Sequence, residues 1–415
     1  MAFSPGFDLV KAAEALLEDA KKLQFGPSCD VGTQNELRAK IAGAGKKIAF
    51  EAALPVDVVK AEWMVITDVA VWHLFLNWKA FDLIPLNGSI TFSELAKALD
   101  AQEQLIARLC STLLVTGKLA PGPTPDSVSH SRVSPLYMTS SPISAFALVA
   151  VGNGMKPFSH WPEYFAKYGR REPVGQTHTP FGFGWDHPEL PPWEVKALYP
   201  DYATAFTRSM KSREIFGGDM PIVGKTALYD MAWIGQVAQK RPKNEPLLVD
   251  VGGGLGQLLK EILENVDSVQ PGQLVLQDRK EVIEEAKQAG DEVMRGVVMM
   301  EHDFHDEQPV KGALVYVLRR ILLDYSDKLA IHILRQLAAA LPENNPDARI
   351  IIMEPRLLDT LQTDNRMVDT TMLNLGGKLR NHKLYTEIAA AAGLKVVRFR
   401  IREGLPTCAV ECVRA

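Results

Sequence analysis

Four glycines crowd one turn of this chain. Leu247, Leu248 and Val249 lead to Asp250, and Gly252, Gly253, Gly254 and Gly256 follow before an apolar-periodic helix begins near Leu258. An apolar run of that kind reads as a strand buried on both faces. Strand, glycine turn and helix in this order bring backbone N–H groups up to a ligand at the helix N-terminus. A second mark follows: LVLQD places Asp278 at the end of the next apolar strand, where a carboxylate accepts hydrogen bonds from a ribose diol. The strand GVVMMEHDF ends in Asp303 and Phe304. An acid and a ring there suit an adenine, one by hydrogen bonding its amine and one by stacking.

From Leu228 onward strands and helices alternate, which predicts a mostly parallel sheet with crossover helices. EVIEEAKQAG is a helix, ALVYVLRRILLDYSD a strand and the start of a long helix, IIIMEP a strand, and the C-terminal stretch a helix and two strands. Upstream, residues 7–23 and 35–54 carry helical apolar spacing, Pro55 closing the second. Residues 58–81 (VVKAEWMVITDVAVWHLFLNWKAF) are apolar on most sides, which predicts burial in a core or, as we read it, a subunit interface; His73 inside the run is a satisfied core or interface histidine. TFSE at 91–94 has capping-box spacing before one short helix, Asp100 is placed to cap a second, and Gly117 to end it. These helices and the turn-rich segment after them have the pattern of a winged helix. The second helix, LIARLCSTLLV, carries Arg108 as its single cation, so it lacks the basic face of a DNA reader and is structural.

Residues 140–199 are dense in Pro, Gly and aromatic side chains and read as helical connectors and loops over a cavity. His160, Trp161, Tyr164, Phe181, Phe183 and Trp185 are the candidate substrate contacts there. His160 beside Trp161 stands out, since an imidazole in an aromatic pocket donates a hydrogen bond to a carbonyl. Residues 202–216 form a helix leading to the glycine-turn domain.

The 415 residues allow two or three domains. A net charge of −4 points to neither a nucleic-acid nor a membrane-surface partner. Cys29, Cys110, Cys408 and Cys412 show no metal-ligand spacing, so no metal is expected, and the last two read as buried reduced thiols. No basic segment followed by an apolar core opens the chain, and no apolar run approaches ~20 residues. A soluble, cytoplasmic protein is the expectation.

The motifs VDVGGGLGQ, LQDRKEVIE, HDFHDEQPVKGALVY, LRRILLDYSD and TTMLNLGGKLR, in this order, give the chain its resemblance. Over nearly its whole length it resembles the dimeric S-adenosylmethionine-dependent O-methyltransferases of fungal secondary metabolism. The resemblance implies an α/β fold: a Rossmann-like class I methyltransferase domain (226–415), a helical connector covering the substrate cavity (141–225), and an N-terminal helical and winged-helix-like dimerisation domain (1–140). It implies S-adenosyl-L-methionine or S-adenosyl-L-homocysteine as cofactor, held by Asp250, Gly252, Gly254, Asp278, Arg279, Asp303, Phe304 and Arg319. The implied partners are a small-molecule secondary metabolite and a second copy of the chain. Met210, Met372 and Leu379 join the aromatic residues as expected substrate contacts.

The catalytic positions depart from the family. Its usual LR-x-x-L-HD-W-S-D carries a histidine that deprotonates the substrate hydroxyl; here LRRILLDYSD puts Leu323 in that place. A leucine accepts no proton. Leu379 in GGKLR stands where the family tends to have an acid, while Glu354 in IIMEP is kept. Such a site resembles the O-methyltransferase-like pericyclases of pyridone-alkaloid pathways, which dehydrate a precursor to a quinone methide and close it by hetero-Diels–Alder or Alder-ene reaction. A pericyclic step needs an apolar cavity that preorganises a polyene, and donors that polarise it. His160, Lys225 and Arg320 are candidate donors, and Asp324 is placed to orient one or assist loss of water. A bound sulfonium would then act structurally or through its fixed charge. The alternatives are an O-methyltransferase taking an already acidic phenol or enol, and a non-catalytic cofactor-binding dimer.

Overall fold

The computed structural model describes residues 4, 6–25, 31–216, 222–224, 227–402 and 406–415. Of the expected site residues, Lys225 lies outside them, as does the side chain of Met210. The chain divides into two compact units, Met1–Met138 and Thr139–Ala415. The expected cavity cover therefore belongs to the same unit as the glycine turn.

In the first unit, helices Leu9–Phe25, Val31–Ala52 and Pro55–Asn77 occupy the three apolar segments. The third changes character along its length. Val71, Phe75 and Leu76 are buried near its C-terminus, whereas Val56, Val59, Trp63 and Ile66 near its start are all more than half exposed. Buried Asp68 accepts a 2.7 Å hydrogen bond from Thr116 and pairs with Lys118. The capping box at Thr91 and Glu94 starts helix Phe92–Ala98. The next helix, Glu103–Val115, is not capped by Asp100: its N-cap is Gln102, and Asp100 takes φ 51° in the preceding turn. Aspartate tolerates that left-handed conformation better than most residues, so the turn uses it there. Ile106, Cys110 and Leu113 form the buried stripe of this helix. Strands β1 (Ser89–Thr91), β2 (Leu119–Pro121) and β3 (Ser127–His130) pair antiparallel in the order β1-β3-β2.

The second unit is built on β4 (Leu248–Val251), β5 (Leu274–Asp278), β6 (Val298–Glu301), β7 (Val315–Arg319), β8 (Arg349–Pro355), β9 (Leu394–Ile401) and β10 (Thr407–Arg414). Their order is β6-β5-β4-β7-β8-β10-β9, with β4 to β8 parallel and β10 antiparallel to both neighbours. Alternate residues face opposite sides of the sheet. Val249, Tyr316, Leu318 and Ile350 thus join one core, and Leu248, Val315, Val317 and Ile351 the other. Strand order reverses between β4 and β7, which opens a crevice at their carboxyl ends where ligands bind in such sheets. The glycine turn and the LRRILLD segment both sit there.

In the stretch ALVYVLRRILLDYSD a turn separates β7 from the long helix, which begins at the last residue of that stretch, Asp327. Arg320 turns at φ 58°, a single 3₁₀ turn spans Leu322–Asp324, and helix Asp327–Ala340 begins only after Ser326, whose hydroxyl accepts the Leu329 N–H. Upstream lie the helices Pro142–Asn153, Met155–Ser159, Trp161–Tyr168, Pro180–Gly184, Pro192–Ala197 and Pro200–Phe216. A proline in the first two positions starts several of them, since its φ suits the helix and its missing donor is one the first turn does not need. No helix among the described residues is long and apolar enough to cross a membrane.

One buried hydroxyl checks this packing. The Tyr316 O–H donates to the Val310 carbonyl at 2.7 Å and approaches that of Ala340 at 3.1 Å. Tyr316→Phe is expected to cost about 1 kcal/mol, read as a lower urea midpoint at unchanged slope.

Candidate functional site

The cofactor side of the crevice is made of backbone and carboxylates. The Gly252 and Gly253 N–H groups donate to the Gln277 carbonyl, so the turn is laced to β5. Gly252 has φ 68°, and a Cβ there would lie 2.6 Å from Ile321 Cδ1 and 3.4 Å from Phe304. The left-handed φ favours glycine there, and any side chain would also displace Ile321. Asp278 accepts the Gly254 N–H on Oδ2 and the Arg279 N–H on Oδ1, both within 2.9 Å. Each oxygen keeps lone-pair capacity for a ribose hydroxyl. Asp303 holds His305 through its ring Nδ1 at 2.8 Å and its backbone N–H at 2.9 Å. Phe304 meets Tyr325 edge-on at 5.7 Å, and the Tyr325 hydroxyl accepts from Trp193 Nε1.

Asp250 is fully buried, and burial pushes its carboxyl up to about 7, Arg319 opposing and Asp278 adding to the rise. Its Oδ1 is shielded from water and has no hydrogen-bond partner among the described residues. An orphaned buried acceptor behind a glycine cradle, two carboxylates with spare acceptor capacity and a ring at the strand end fit an aminoacyl-nucleoside cofactor.

Beside the cradle lies the turn after β7. Glu354 reaches up from β8 beneath it and is 1 % exposed. Its Oε1 accepts the N–H groups of Ile321 (2.9 Å) and Leu322, and its Oε2 accepts the Tyr385 hydroxyl at 2.7 Å. Arg380, with no exposed surface, donates to the Leu322 carbonyl at 2.7 Å, the Tyr325 carbonyl at 2.8 Å and Asp327 at 2.9 Å. Burial would raise the Asp327 carboxyl, but Arg380 and then Lys378 more than reverse it and hold it low. Both oxygens of Glu354 are thus engaged, Oε1 by the turn and Oε2 by Tyr385. Arg380, three residues past the glycine pair of GGKLR, is a residue the motif reading passed over.

Above the turn the wall is apolar. Leu323 and Leu379, the two departures from the family pattern, share one cluster with Phe181, Val195, Met372 and Leu375. They meet because Gly377 packs its Cα on the 323–324 backbone, where a Cβ would lie 2.0 Å from the Leu323 carbonyl. The Lys378 N–H donates to that carbonyl at 3.0 Å, and the Leu379 N–H to Asp369 at 2.9 Å. The six buried side chains of the cluster are all apolar.

The other expected contacts form a neighbouring aromatic group. Phe183 packs against Tyr164 and His160, and Trp161 against Phe158 and Phe165. Trp161 Nε1 donates to Asn374, whose amide donates to the Asn153 carbonyl, and the Tyr202 hydroxyl donates to the Asn153 side chain. This buried polar chain ties the cover to the wall; only its tryptophan was signalled by sequence. His160 Nδ1 lies 2.9 Å from the Lys156 carbonyl and so carries the proton. In the neutral ring Nε2 is then an acceptor; donation to a substrate carbonyl, the role expected of it, needs the imidazolium. Arg320 holds its left-handed turn by donating its N–H to the Met353 carbonyl at 3.0 Å, and the Asp324 N–H donates to the Ile321 carbonyl.

Two outcomes test this arrangement. Arg380→Met leaves two buried carbonyls and Asp327 without their donor, and a loss of about 3–5 kcal/mol in unfolding free energy is expected. Burial also raises Glu354 to about 7 against the pull of Tyr385, Arg380 and the two amides. An acid that holds its proton more tightly folded than unfolded lends stability that is full below its unfolded pKa and lost as pH rises through its folded one. Denaturation between about pH 4.5 and 7 is therefore expected to show falling stability, and Glu354→Gln to flatten that slope.

Residues 193–395 match the model of the O-methyltransferase domain. The chain is 36% identical over 386 residues to Methyltransferase cfoD of Aspergillus candidus, covering 92% of this chain and 93% of that protein. Its fold is that of OxaC, solved with sinefungin and meleagrin (TM-score 0.84, 19% identity, 99% of this chain and all of that one). LepI, solved with SAM, shares it as well (TM-score 0.75, 22% identity, 98% of this chain and 99% of that one). The expected α/β class I methyltransferase fold with a helical N-terminal region is therefore present, and the chain belongs to the O-methyltransferase domain family.

Proposed function

We propose that this protein transfers a methyl group from S-adenosyl-L-methionine to a small secondary metabolite whose acceptor, an acidic phenol or enol, enters the site already ionised. The observation that carries this reading is the apolar wall of Leu323 and Leu379 beside an intact cofactor cradle. The similarity to a methyltransferase over 92% of the chain supports it, as do the SAM and small-molecule complexes of its structural neighbours.

The cofactor supplies an electrophilic methyl group. The chain supplies placement. The glycine turn and Asp278 would hold the aminoacyl and ribose parts, and Asp303 and Phe304 the adenine, while Arg319 stands near Asp250 at the strand ends. Ile321 covers Gly252, and Leu323, two residues on, continues that surface into the wall, so water is kept from the acceptor. Holding the two reacting atoms in contact is the main catalytic contribution. With no base in the wall, the acceptor's own ionisation governs the rate.

Across a series of phenols of graded acidity, the acid limb of the kcat/KM–pH profile is expected to move with each acceptor's own pKa. A limb fixed across the series, or no gain of one methyl mass with any member, would sink the proposal.

The same wall favours a second reading, a pericyclase that dehydrates a pyridone-alkaloid precursor to a quinone methide and closes it by hetero-Diels–Alder or Alder-ene reaction. His160, Arg320 and Lys225 would polarise the substrate, Asp324 would assist loss of water, and the bound sulfonium would act as a fixed charge. This reading expects a product of unchanged mass, or lighter by one water, and a product ratio altered in Leu323→Lys; an unchanged ratio would count against it.

Val56, Val59, Trp63 and Ile66 lie at helical spacing along helix Pro55–Asn77 and are 56, 70, 74 and 65 % exposed. We read this stripe as the face that a second copy of the chain covers in a homodimer. Trp63→Glu is expected to shift the protein towards monomer in analytical ultracentrifugation.

A further inference from the structure

We propose that the outer edge of β9 is a docking site for an extended acidic segment of another protein, which adds to the sheet as a further strand. The inference goes beyond the reading of the acceptor site and does not depend on it.

β9 stands at one end of the seven-stranded sheet, and among the described residues only β10 pairs with it. Its outer row of backbone donors and acceptors is thus open to another strand. Beside that edge lies a cleft of about 730 Å³, lined by residues 398–402 together with Ala227 and Leu228. Alternate residues of a strand share a face and lie about 6.5–7 Å apart. Arg398 and Arg400 therefore stand on one face of β9, and Arg402 follows at the same sequence spacing just past its end. All three line the cleft, and among the described residues no acid does.

The inner edge of the same strand shows what these arginines take. Glu411 of β10 stands opposite Arg398 in the register, and its Oε1 lies 3.3 Å from Arg398 Nη1 and 3.7 Å from Arg400 Nε. That carboxylate is 7 % exposed and is shared with Arg349, whose Nε lies 3.6 Å from Oε2. One acid among three guanidiniums leaves an excess of positive charge. Arg398 and Arg400 keep 54 and 38 % of their side-chain surface open, and Arg400 is steadied over the Tyr229 ring at 5.3 Å.

Opposite charges facing each other across two strands stabilise the pair, and like charges oppose it. A second copy of β9 would set arginines against arginines, so this edge disfavours its own kind. An acidic strand with a carboxylate at every second residue meets each arginine at its own spacing while its backbone bonds to β9. Three arginines spread over about 13 Å also exceed what one compact anion spans.

The probe is a fluorescein-labelled peptide of about nine residues in which Glu alternates with Thr, titrated with the full chain at low salt and read by fluorescence anisotropy. Micromolar binding is expected. A peptide of the same composition with its Glu residues in one block is expected to bind at least about fivefold more weakly. Arg402→Glu, at an exposed position, is expected to weaken the alternating peptide at least about tenfold, and Arg402→Lys to stay within about threefold. Backbone groups of successive residues point to opposite sides of a strand, so N-methylating the Glu residues and N-methylating the Thr residues are expected to differ, one abolishing binding and the other leaving it. No binding, equal affinity for the block peptide, no effect of Arg402→Glu, or an equal response to the two methylation patterns would each overturn the proposal. So would displacement of the peptide by micromolar tripolyphosphate, the mark of a site for a compact anion. The peptide comparisons use the unaltered protein, so they decide the matter even where Arg402→Glu does not fold.

Discussion

The arrangement of the second unit hangs on two buried charges beneath one turn. Arg320 adopts a left-handed conformation that costs a side-chain-bearing residue of order 1 kcal/mol or more, and the chain then doubles back through Leu322–Asp324. Such a turn persists only where its surroundings over-determine it. Glu354 takes two of its N–H groups from below, and Arg380 takes two of its carbonyls and anchors Asp327 beyond it. Removing either would strand polar groups in a site without water, which costs more than the net worth of the bonds themselves. The position of Leu323, and through Gly377 that of Leu379, follows from this pair.

The chemistry of the site is a consequence of what the turn presents. On the methyltransferase reading, a leucine at position 323 leaves orientation and exclusion of water as the means of acceleration. Glu354 does not compensate. It is an acid in the right neighbourhood, but its oxygens accept from Ile321, Leu322 and Tyr385. The methyltransferase and pericyclase readings both follow from an apolar floor under an aromatic cover, and they differ in what the substrate brings to it.

That cover is held by a repeated device, a lysine over ring faces. Lys156 lies 4.1 Å from the Trp185 centroid, Lys167 lies 5.1 Å from Tyr168, and Lys196 is set among Trp193, Phe206 and Phe181. The first two are near enough to the surface to keep water around their charge.

Much of this was legible in the chain alone. The strand–glycine–helix order, the acids at 278 and 303, the alternation after Leu228 and the winged-helix pattern depend on near neighbours, because periodicity, caps and turn chemistry are local properties. That Leu323 takes no proton was equally plain, since this needs no structure to establish. Local rules failed where two plausible choices competed: Asp100 went to the turn and Gln102 to the cap. Only tertiary structure decided that Glu354 shapes that turn, that Arg380 serves it from about sixty residues along the chain, and that Lys196 lies behind the wall containing Leu323. Those roles are set by which buried groups meet across the fold, and a buried charge or carboxyl takes its function from partners that sequence spacing does not reveal.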